Sequence, residues 1–390
     1  MLYCFEVLFG FLGGNMSLIE RAYKNTVRPR VFAMSTDDAE TAHEWGIALL
    51  YRLERNPLLA FAVRRALTYS HPMLETQQFG VWFPNPLGLA AGFDKYCQLY
   101  RRAVPATGWG FAEVGGITPM KQDRNPHIRM RRSEEFAAIW NFMGFNNPGA
   151  DMARLQMQTR GPSTIPIGLN VGKGKDTPLE KSGDDYAYVI TRMFQFVQFI
   201  TINVSSPNTK GLRGLQAKRL LDGIVKVAQD ANRAVASLLE LPSRAMGIKV
   251  SPDETDEQLA DIADIVDEWG LGFLILTNTT VERKKTDGWN IPQDKGGVSG
   301  RPLLERSRWV LMQMAKRFPK NHRVRLISVG GIDSAKELYH RILLGASLCQ
   351  VYTAWPFEGP DLCKRWLREL VGCLQDDKFD SIDQAIGAYQ

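Results

Sequence analysis

The chain has no CxxC pair, no histidines at metal-ligand spacing, no GxGxxG after an N-terminal strand and no long apolar run. Each absence removes a class of function. The five cysteines, Cys4, Cys97, Cys349, Cys363 and Cys373, are odd in number and widely scattered. That speaks for reduced thiols in a cytosol-facing protein and against a disulfide scaffold or a zinc ribbon. His43, His71, His127, His322 and His340 give no metal-binding signature either, and no metal is expected. Without a glycine fingerprint opening a first βα unit, a Rossmann nicotinamide site is not indicated. A membrane-spanning helix needs about 20 apolar residues. Leu2 to Leu12 is apolar but shorter, carries Glu6 and follows no basic region, so we read it as neither a span nor a signal peptide. Met16 offers an alternative start, a reading of residues 1–15 that we favour over a weak membrane-contacting extension.

Charge of one sign is also scarce. A net charge of +6 is modest for 390 residues. Arg28, Arg30, Arg52, Arg55, Arg64 and Arg65 cluster early, but no dense basic stripe or recognised module accompanies them, so nucleic acid is not an expected partner. An anionic membrane surface suits an early basic, amphipathic segment better. Hydrophobic content of 44% with 23% charged residues is ordinary for a globular protein. The length fits one large barrel with an appendage, or two medium domains.

Two helices are predicted ahead of the main domain. Ser35-Thr36-Asp37-Asp38 is a good helix start, and Ala42, Trp45, Ala48, Leu49, Leu50 and Leu53 then recur at helical spacing. Asn56-Pro57 breaks this helix, and residues 58–67 restart a second. The pair is either a helical lid on the core or a membrane-surface element that admits an apolar substrate. After Pro84 the rhythm changes to short apolar strands near 87–91, 111–115, 167–171, 199–204, 246–250, 273–277, 324–329 and 348–352. Most are joined by segments long enough for a helix. Eight such units predict an α/β fold, a closed (β/α)8 TIM barrel with function at the C-terminal strand ends, over a doubly wound open sheet. Residues 119–140 and 281–297 read as long polar loops after strands two and six. We expect residues 1–35 as an N-terminal extension, 36–78 as the two-helix membrane-associating segment, 79–375 as the barrel and 376–390 as a polar tail.

The strand ends carry the chemistry. Ser299-Gly300-Arg301-Pro302, Gly330-Gly331 and Tyr352-Thr353 supply bare amides and hydroxyls where such barrels hold a phosphate, near strands seven and eight. One glycine pair is usually a tight turn; three clusters on consecutive loops favour a phosphorylated cofactor. Asn141, Asn203, Asn208 and Asn278 should converge at the same mouth, and their amides match the alternating donor–acceptor edge of a pyrimidinedione. Ser206 lies between two of them. Lys95 could simply pair with Asp94. Lys249 follows Ile248 in a buried strand, where an ammonium must find an anion, and the anionic edge of a reduced flavin would serve.

These motifs resemble those of class 2 dihydroorotate dehydrogenases, the membrane-associated, quinone-dependent branch of the family. The matching segments are Asn85-Pro86-Leu87-Gly88-Leu89-Ala90-Ala91-Gly92-Phe93-Asp94-Lys95, Met143-Gly144-Phe145-Asn146-Asn147, Asn203-Val204-Ser205-Ser206-Pro207-Asn208-Thr209-Lys210-Gly211-Leu212-Arg213, Thr277-Asn278-Thr279-Thr280, Gly296-Gly297-Val298-Ser299-Gly300-Arg301-Pro302-Leu303 and Val329-Gly330-Gly331-Ile332. The resemblance implies FMN lined by Ala91, Gly92, Phe93, Asp94, Lys95, Gly116, Asn170, Asn203, Lys249, Thr277, Gly300, Gly331, Tyr352 and Thr353. It implies dihydroorotate held by Lys95, Asn141, Phe142, Met143, Gly144, Phe145, Asn203, Asn208, Asn278 and Thr279. Ser206 falls at the place of the catalytic base, where class 1 enzymes carry cysteine. Two residues depart from the pattern: Phe142 stands where arginine is frequent, and Gly116 where threonine is usual. The arginine at the quinone tunnel is either Arg129 or Arg131.

The resemblance also implies oxidation of (S)-dihydroorotate to orotate for pyrimidine (UMP) synthesis, with FMN as hydride acceptor and a membrane quinone as final acceptor. We expect a monomer held peripherally on the cytoplasmic side of a bacterial-type cell membrane, in preference to a mitochondrial inner membrane. The rival readings are another FMN barrel oxidoreductase with a different planar substrate, and a non-catalytic membrane-surface scaffold.

Overall fold

The computed structural model describes residues 17–36, 38–205 and 218–390. Eight parallel strands close into a barrel in sequential order: β1 (Leu87–Leu89), β2 (Phe111–Ile117), β3 (Ile167–Val171), β4 (Phe199–Asn203), β5 (Ala245–Val250), β6 (Phe273–Leu276), β7 (Arg325–Val329) and β8 (Ala346–Val351). All eight coincide with the runs expected from the sequence. Burial on both faces explains why they read as unbroken apolar runs and not as alternating ones. Around the barrel run the helices Ala150–Arg160, Ser182–Met193, Lys218–Leu238, Asp256–Glu268, Leu304–Arg317, Ala335–Leu343 and Leu362–Asp376.

Pairing of large with small residues fills the bottom of the barrel. Gly88 lies in register with Phe111, Gly168 with Phe199 and Gly247 with Phe273. A Cβ at these glycines would stand 2.3, 2.1 and 2.3 Å from the neighbouring ring. Each ring therefore lies across a bare backbone on the adjacent strand. The hairpin of Thr76–Gln78 and Val81–Phe83 caps this end. At its turn Phe79 packs on Phe273 at 5.0 Å and Phe199 at 5.7 Å, and Phe83 meets Phe111 at 5.3 Å.

The two early helices form as Ala39–Arg55 and Pro57–Leu67. Asp38 caps the first and Asn56 the second, with Pro57 at the opening position, where a missing N–H costs nothing. Glu54 docks the first helix onto the barrel, its buried carboxylate accepting the backbone N–H groups of Arg102 and Ala103, each at 2.8 Å. Residues 18–34 are helical as well, with one π-turn over Tyr23–Val27. Tyr23, Lys24 and Arg28 tie this segment to Pro356, Glu358 and Phe357, just after β8.

Two sequence expectations are corrected. The insertions after strands two and six are not simple loops. Met130–Ser133, Ala138–Asn141 and Gly297–Gly300 pair into a three-stranded antiparallel sheet beside the barrel mouth. The first insertion folds back on itself as a hairpin, and Gly297–Gly300 of the second finds its pairing only on that hairpin's Ala138–Asn141 strand. Trp140 is buried at their junction, its indole N–H on the Lys295 carbonyl. The tail is not uniformly polar either: Ile382, Ala385 and Ile386 are buried, and the Tyr389 N–H bonds the Leu343 carbonyl at 3.0 Å.

Gly168→Val should destabilise the fold by about 2–3 kcal/mol through overpacking against Phe199, and Gly168→Val/Phe199→Leu should recover part of the loss. A calorimetric midpoint unchanged by the single substitution would show that the ring has another place to go.

Candidate active site

The C-terminal strand ends open onto a cleft of about 1140 Å³. Of the residues singled out in the sequence, Ala91, Gly92, Lys95, Gly116, Asn141, Met143, Phe145, Asn170, Asn203, Lys249, Thr277, Asn278, Thr279, Gly300, Gly331, Tyr352 and Thr353 line it. Residues far apart in the chain meet here because all eight strands point the same way. Four others lie off the wall. Phe93 packs on His43, Tyr352 and Trp355 at 5.6, 5.7 and 4.9 Å. Asp94 is buried behind the loop, its carboxylate accepting the N–H groups of Gln98 and Leu99 at 2.8 and 2.9 Å. It is therefore not the partner of Lys95. Phe142 turns toward Phe136 and Trp289, with the Lys295 ammonium 5.4 Å from its ring centre. Gly144 sits over the Asn125 amide. Ser206 and Asn208 lie outside the described residues.

On the floor of the cleft the polar side chains are bonded to one another. Glu113 of β2, absent from the sequence reading, is buried, with Oε1 accepting from Asn170 Nδ2 at 2.9 Å and Oε2 from Gln350 Nε2 at 3.2 Å. Asn203 Nδ2 donates to Asn170 Oδ1 at 2.8 Å. Asn203 Oδ1 accepts the Ser205 N–H at 3.2 Å and hydroxyl at 3.3 Å, and the Ser205 hydroxyl accepts Asn278 Nδ2 at 3.0 Å. The available signal for Glu113 and Gln350 was a large polar side chain inside each of two mostly apolar strands.

Two lysines face this floor. Burial depresses the Lys249 ammonium, while the Glu113 carboxylate favours its charged form. Lys95 donates to Asn146 Oδ1 at 3.1 Å, and Asn146 in turn donates to the Tyr96 hydroxyl at 3.3 Å. Burial brings Lys95 down to about 8, opposed by Glu40 and aided by Arg124 and Arg129. Asp94 is pushed up to about 6 by burial, against its two N–H bonds.

Gly116 explains itself sterically. A Cβ there would lie 2.1 Å from the Phe145 ring, and one at Gly172 would lie 2.6 Å from it.

At the β7 and β8 ends Gly300, Gly330 and Gly331 all have positive φ. Gly331 also passes so near the start of Leu304–Arg317 that a Cβ would be 2.2 Å from the Leu304 Cα. Below them Arg341, fully buried, donates to the Leu304 and Gly330 carbonyls at 3.0 and 3.1 Å and to Ser328 at 3.0 Å. Thr353 and Ser299 hydroxyls are 2.7 Å apart.

The donor set fits FMN. Bare amides suit a phosphate, and Lys249 suits an electron-rich ring edge. At Gly92 a side chain would project where no protein atom lies within 4 Å. Gln350 Oε1 is buried without a hydrogen-bond partner on the same wall, an acceptor left for a ligand.

A second cavity of about 790 Å³ lies between helix Ala39–Arg55 and the mouth, lined by His43, Ile47, Tyr51, Phe93 and Tyr96 among others. It shares Lys95, Met143 and Asn146 with the first. Burial, then Lys95 and Arg124, hold His43 down at about 3, so its ring is neutral at physiological pH. Of the two tunnel candidates, Arg129 pairs with Glu40 at 2.7 Å, while Arg131 reaches the Asn290 carbonyl. Arg132 lies over the Phe32 ring at 3.5 Å. Among the described residues Asp38, Glu40 and His127 gather closely enough for a cation, but Glu40 already meets Arg124 and Arg129 and Asp38 caps a helix.

Fold and site together define an enzyme architecture: a closed (β/α)8 barrel with a cationic, amide-rich cleft at its catalytic end. The dihydroorotate dehydrogenase family model matches residues 73–374. A Halobacterium salinarum protein named dihydroorotate dehydrogenase (quinone) is 37% identical over 90% of this chain and 95% of its own length. An Acidithiobacillus ferrooxidans protein of the same name is 38% identical over 93% and 98%. The crystal structure of Eimeria tenella DHODH in complex with ferulenol superposes with a TM-score of 0.80 at 32% identity, covering 99% of both chains. The chain belongs to the dihydroorotate dehydrogenase family, and its curated relatives carry the quinone name.

Proposed function

We propose that this protein oxidises (S)-dihydroorotate to orotate in pyrimidine (UMP) biosynthesis, with FMN as the first electron acceptor and a membrane quinone as the last. The observation that carries the reading is one cleft holding Lys95, the amides of Asn141, Asn203 and Asn278, and the buried ammonium of Lys249 beneath them. FMN, when bound, would supply a hydride acceptor for ring carbon six and a relay of electrons to quinone. In this reading Lys95 meets the substrate carboxylate and the asparagine amides take the ring's donor–acceptor edge. As Ser206 removes the proton from carbon five, charge grows on the adjoining carbonyl, and amide donors already in place stabilise it. Lys249, Thr277, Gly300, Gly331, Tyr352 and Thr353 belong to the flavin side.

For the second half-reaction we assign the cavity beside helix Ala39–Arg55 to the quinone. Its shared wall with the main cleft supports this, as does the exposed apolar face of the two N-terminal helices. Leu58 is 82% exposed and Leu49, Phe61 and Trp45 are also exposed, with Arg52, Arg55, Arg64 and Arg65 nearby. No helix among the described residues is long and apolar enough to cross a membrane. An amphipathic, basic surface suits peripheral attachment instead. We assign this role to residues 36–78 and flavin chemistry to 79–375, in a monomer on the cytoplasmic side.

Anaerobic dihydroorotate should bleach the yellow protein and added quinone should restore the colour; a flavin that stays oxidised refutes the reading. Ser206→Ala should retain FMN yet lose several orders of magnitude in stopped-flow flavin reduction, and wild-type rates would remove its role as base. Lys95 is cationic below about 8 and neutral above it, so orotate affinity should be flat at lower pH and fall about tenfold per pH unit beyond that point; a flat titration up to pH ~10 excludes Lys95 as the anion's partner. Leu49→Ser/Leu58→Ser/Phe61→Ser should abolish flotation with anionic vesicles and slow long-tail quinone turnover while leaving bleaching intact. Unchanged flotation would move the membrane contact elsewhere.

A further inference from the structure

We propose that Glu113 is a positioning residue that receives the NH2 groups of Asn170 and Gln350 on its two oxygens, and thereby fixes Gln350 Oε1 as the end of that amide that meets the ligand. An asparagine amide can usually be turned over, because its oxygen and nitrogen are nearly the same size; its orientation is decided by its neighbours. An ionised carboxylate accepts only, and so removes that freedom. Glu113 takes the NH2 group of Asn170 at 2.9 Å, which leaves Asn170 Oδ1 to accept from Asn203 Nδ2 at 2.8 Å. Asn203 Oδ1 accepts the Ser205 N–H and hydroxyl, and the backbone N–H requires an oxygen there in its own right. The Ser205 hydroxyl, having donated, accepts from Asn278 Nδ2 at 3.0 Å, and Asn278 Oδ1 accepts the Thr279 N–H at 2.8 Å.

The run crosses from β2 through β3 and β4 to the end of β6, and its far end is held by the backbone N–H groups of Ser205 and Thr279, which can only donate. On the other side the carboxylate holds Gln350 Nε2 at 3.2 Å, so the buried, unpartnered Gln350 Oε1 is the end left as an acceptor in the cleft. Glu113 touches no ligand position itself, since it does not line the cleft, whereas Asn170, Asn203, Asn278 and Gln350 do. Its negative charge also favours the charged form of Lys249, which desolvation opposes. A glutamine at 113 has one acceptor end for two NH2 groups; Asn170 stays held through Asn203 and the Ser205 N–H, so Gln350 is the amide that would lose its fixed orientation.

This inference rests on the FMN and orotate reading, and its test uses two ligands so that the two can fail separately. FMN affinity is measured by flavin fluorescence on reconstituting the apoprotein, and orotate affinity by the flavin absorbance shift. Glu113→Gln should fold with a near-native melting curve and bind FMN about tenfold more weakly, a change equivalent to one hydrogen bond of ordinary strength. Glu113→Gln/Asn170→Asp should recover most of that loss. In the double variant the new amide at position 113 donates to an acceptor-only carboxylate at position 170, which still accepts from Asn203, so the oxygen at 113 is again free to take Gln350 Nε2. Asn170→Asp alone sets two carboxylates face to face and should be worse than the double substitution. Native FMN affinity in Glu113→Gln, or a double variant no better than the weaker single, overturns the proposal. If Glu113→Gln does not fold, the comparison of Asn170→Asp with the double variant decides in the same way. A wild-type protein that binds FMN but gives no orotate shift would refute the substrate reading, while the FMN series still judges Glu113.

Discussion

An eight-stranded barrel has an interior just wide enough for side chains, and that space must be filled without voids or overlap. Here the lower half is filled by rings set across glycines: Phe111 over Gly88, Phe199 over Gly168 and Phe273 over Gly247. Phe79 and Phe83 close the end beneath them. Because the apolar filling is complete at the bottom, the upper half is free to carry groups that a core would not tolerate. The division is one of packing first and chemistry second.

Those upper groups are costly. A carboxylate, an ammonium and several amides are withdrawn from water within a few strand positions. Burying any one alone would cost several kcal/mol, and only mutual bonding offsets this. Glu113 meets Asn170 and Gln350, Asp94 meets two backbone N–H groups, and Arg341 meets carbonyls and hydroxyls under the glycine loop. Lys249 is the incomplete case: among the described residues no carboxylate lies within ion-pair distance of it. A buried cation with only a distant anion, beside an unpartnered Gln350 oxygen, is the electrostatic signature of a site built for an electron-rich ligand.

The N-terminal helices are joined to this chemistry physically. Glu40 reaches from helix Ala39–Arg55 to Arg124 and Arg129 on the insertion, and Glu54 caps the backbone at Arg102 and Ala103. One side of that helix thus belongs to the barrel mouth, where His43 and Tyr51 face the second cavity, while the other leaves Trp45 and Leu49 in solvent. A lid on the core and a membrane surface, posed as alternatives by the sequence, are compatible roles for two faces of one helix.

The sequence by itself determined the eight strands, the early helix pair and most of the cleft wall. Strand runs are local signals, and parallel strands in a barrel bring their C-terminal residues together wherever they lie in the chain. Asn141, Asn203, Asn278, Lys95 and Lys249 could therefore be placed at one mouth without coordinates. Only the tertiary structure decided which neighbours these residues have. The three-stranded sheet of the two insertions depends on pairing between segments far apart in the chain, Ala138–Asn141 with Gly297–Gly300, which no local pattern records. Phe142 and Asp94 turned away because packing at the insertion and capping of a loop claimed them. Glu113 and Gln350 were visible only as polar residues in apolar strands; that they meet the same amide network is a matter of register, set when the barrel closes.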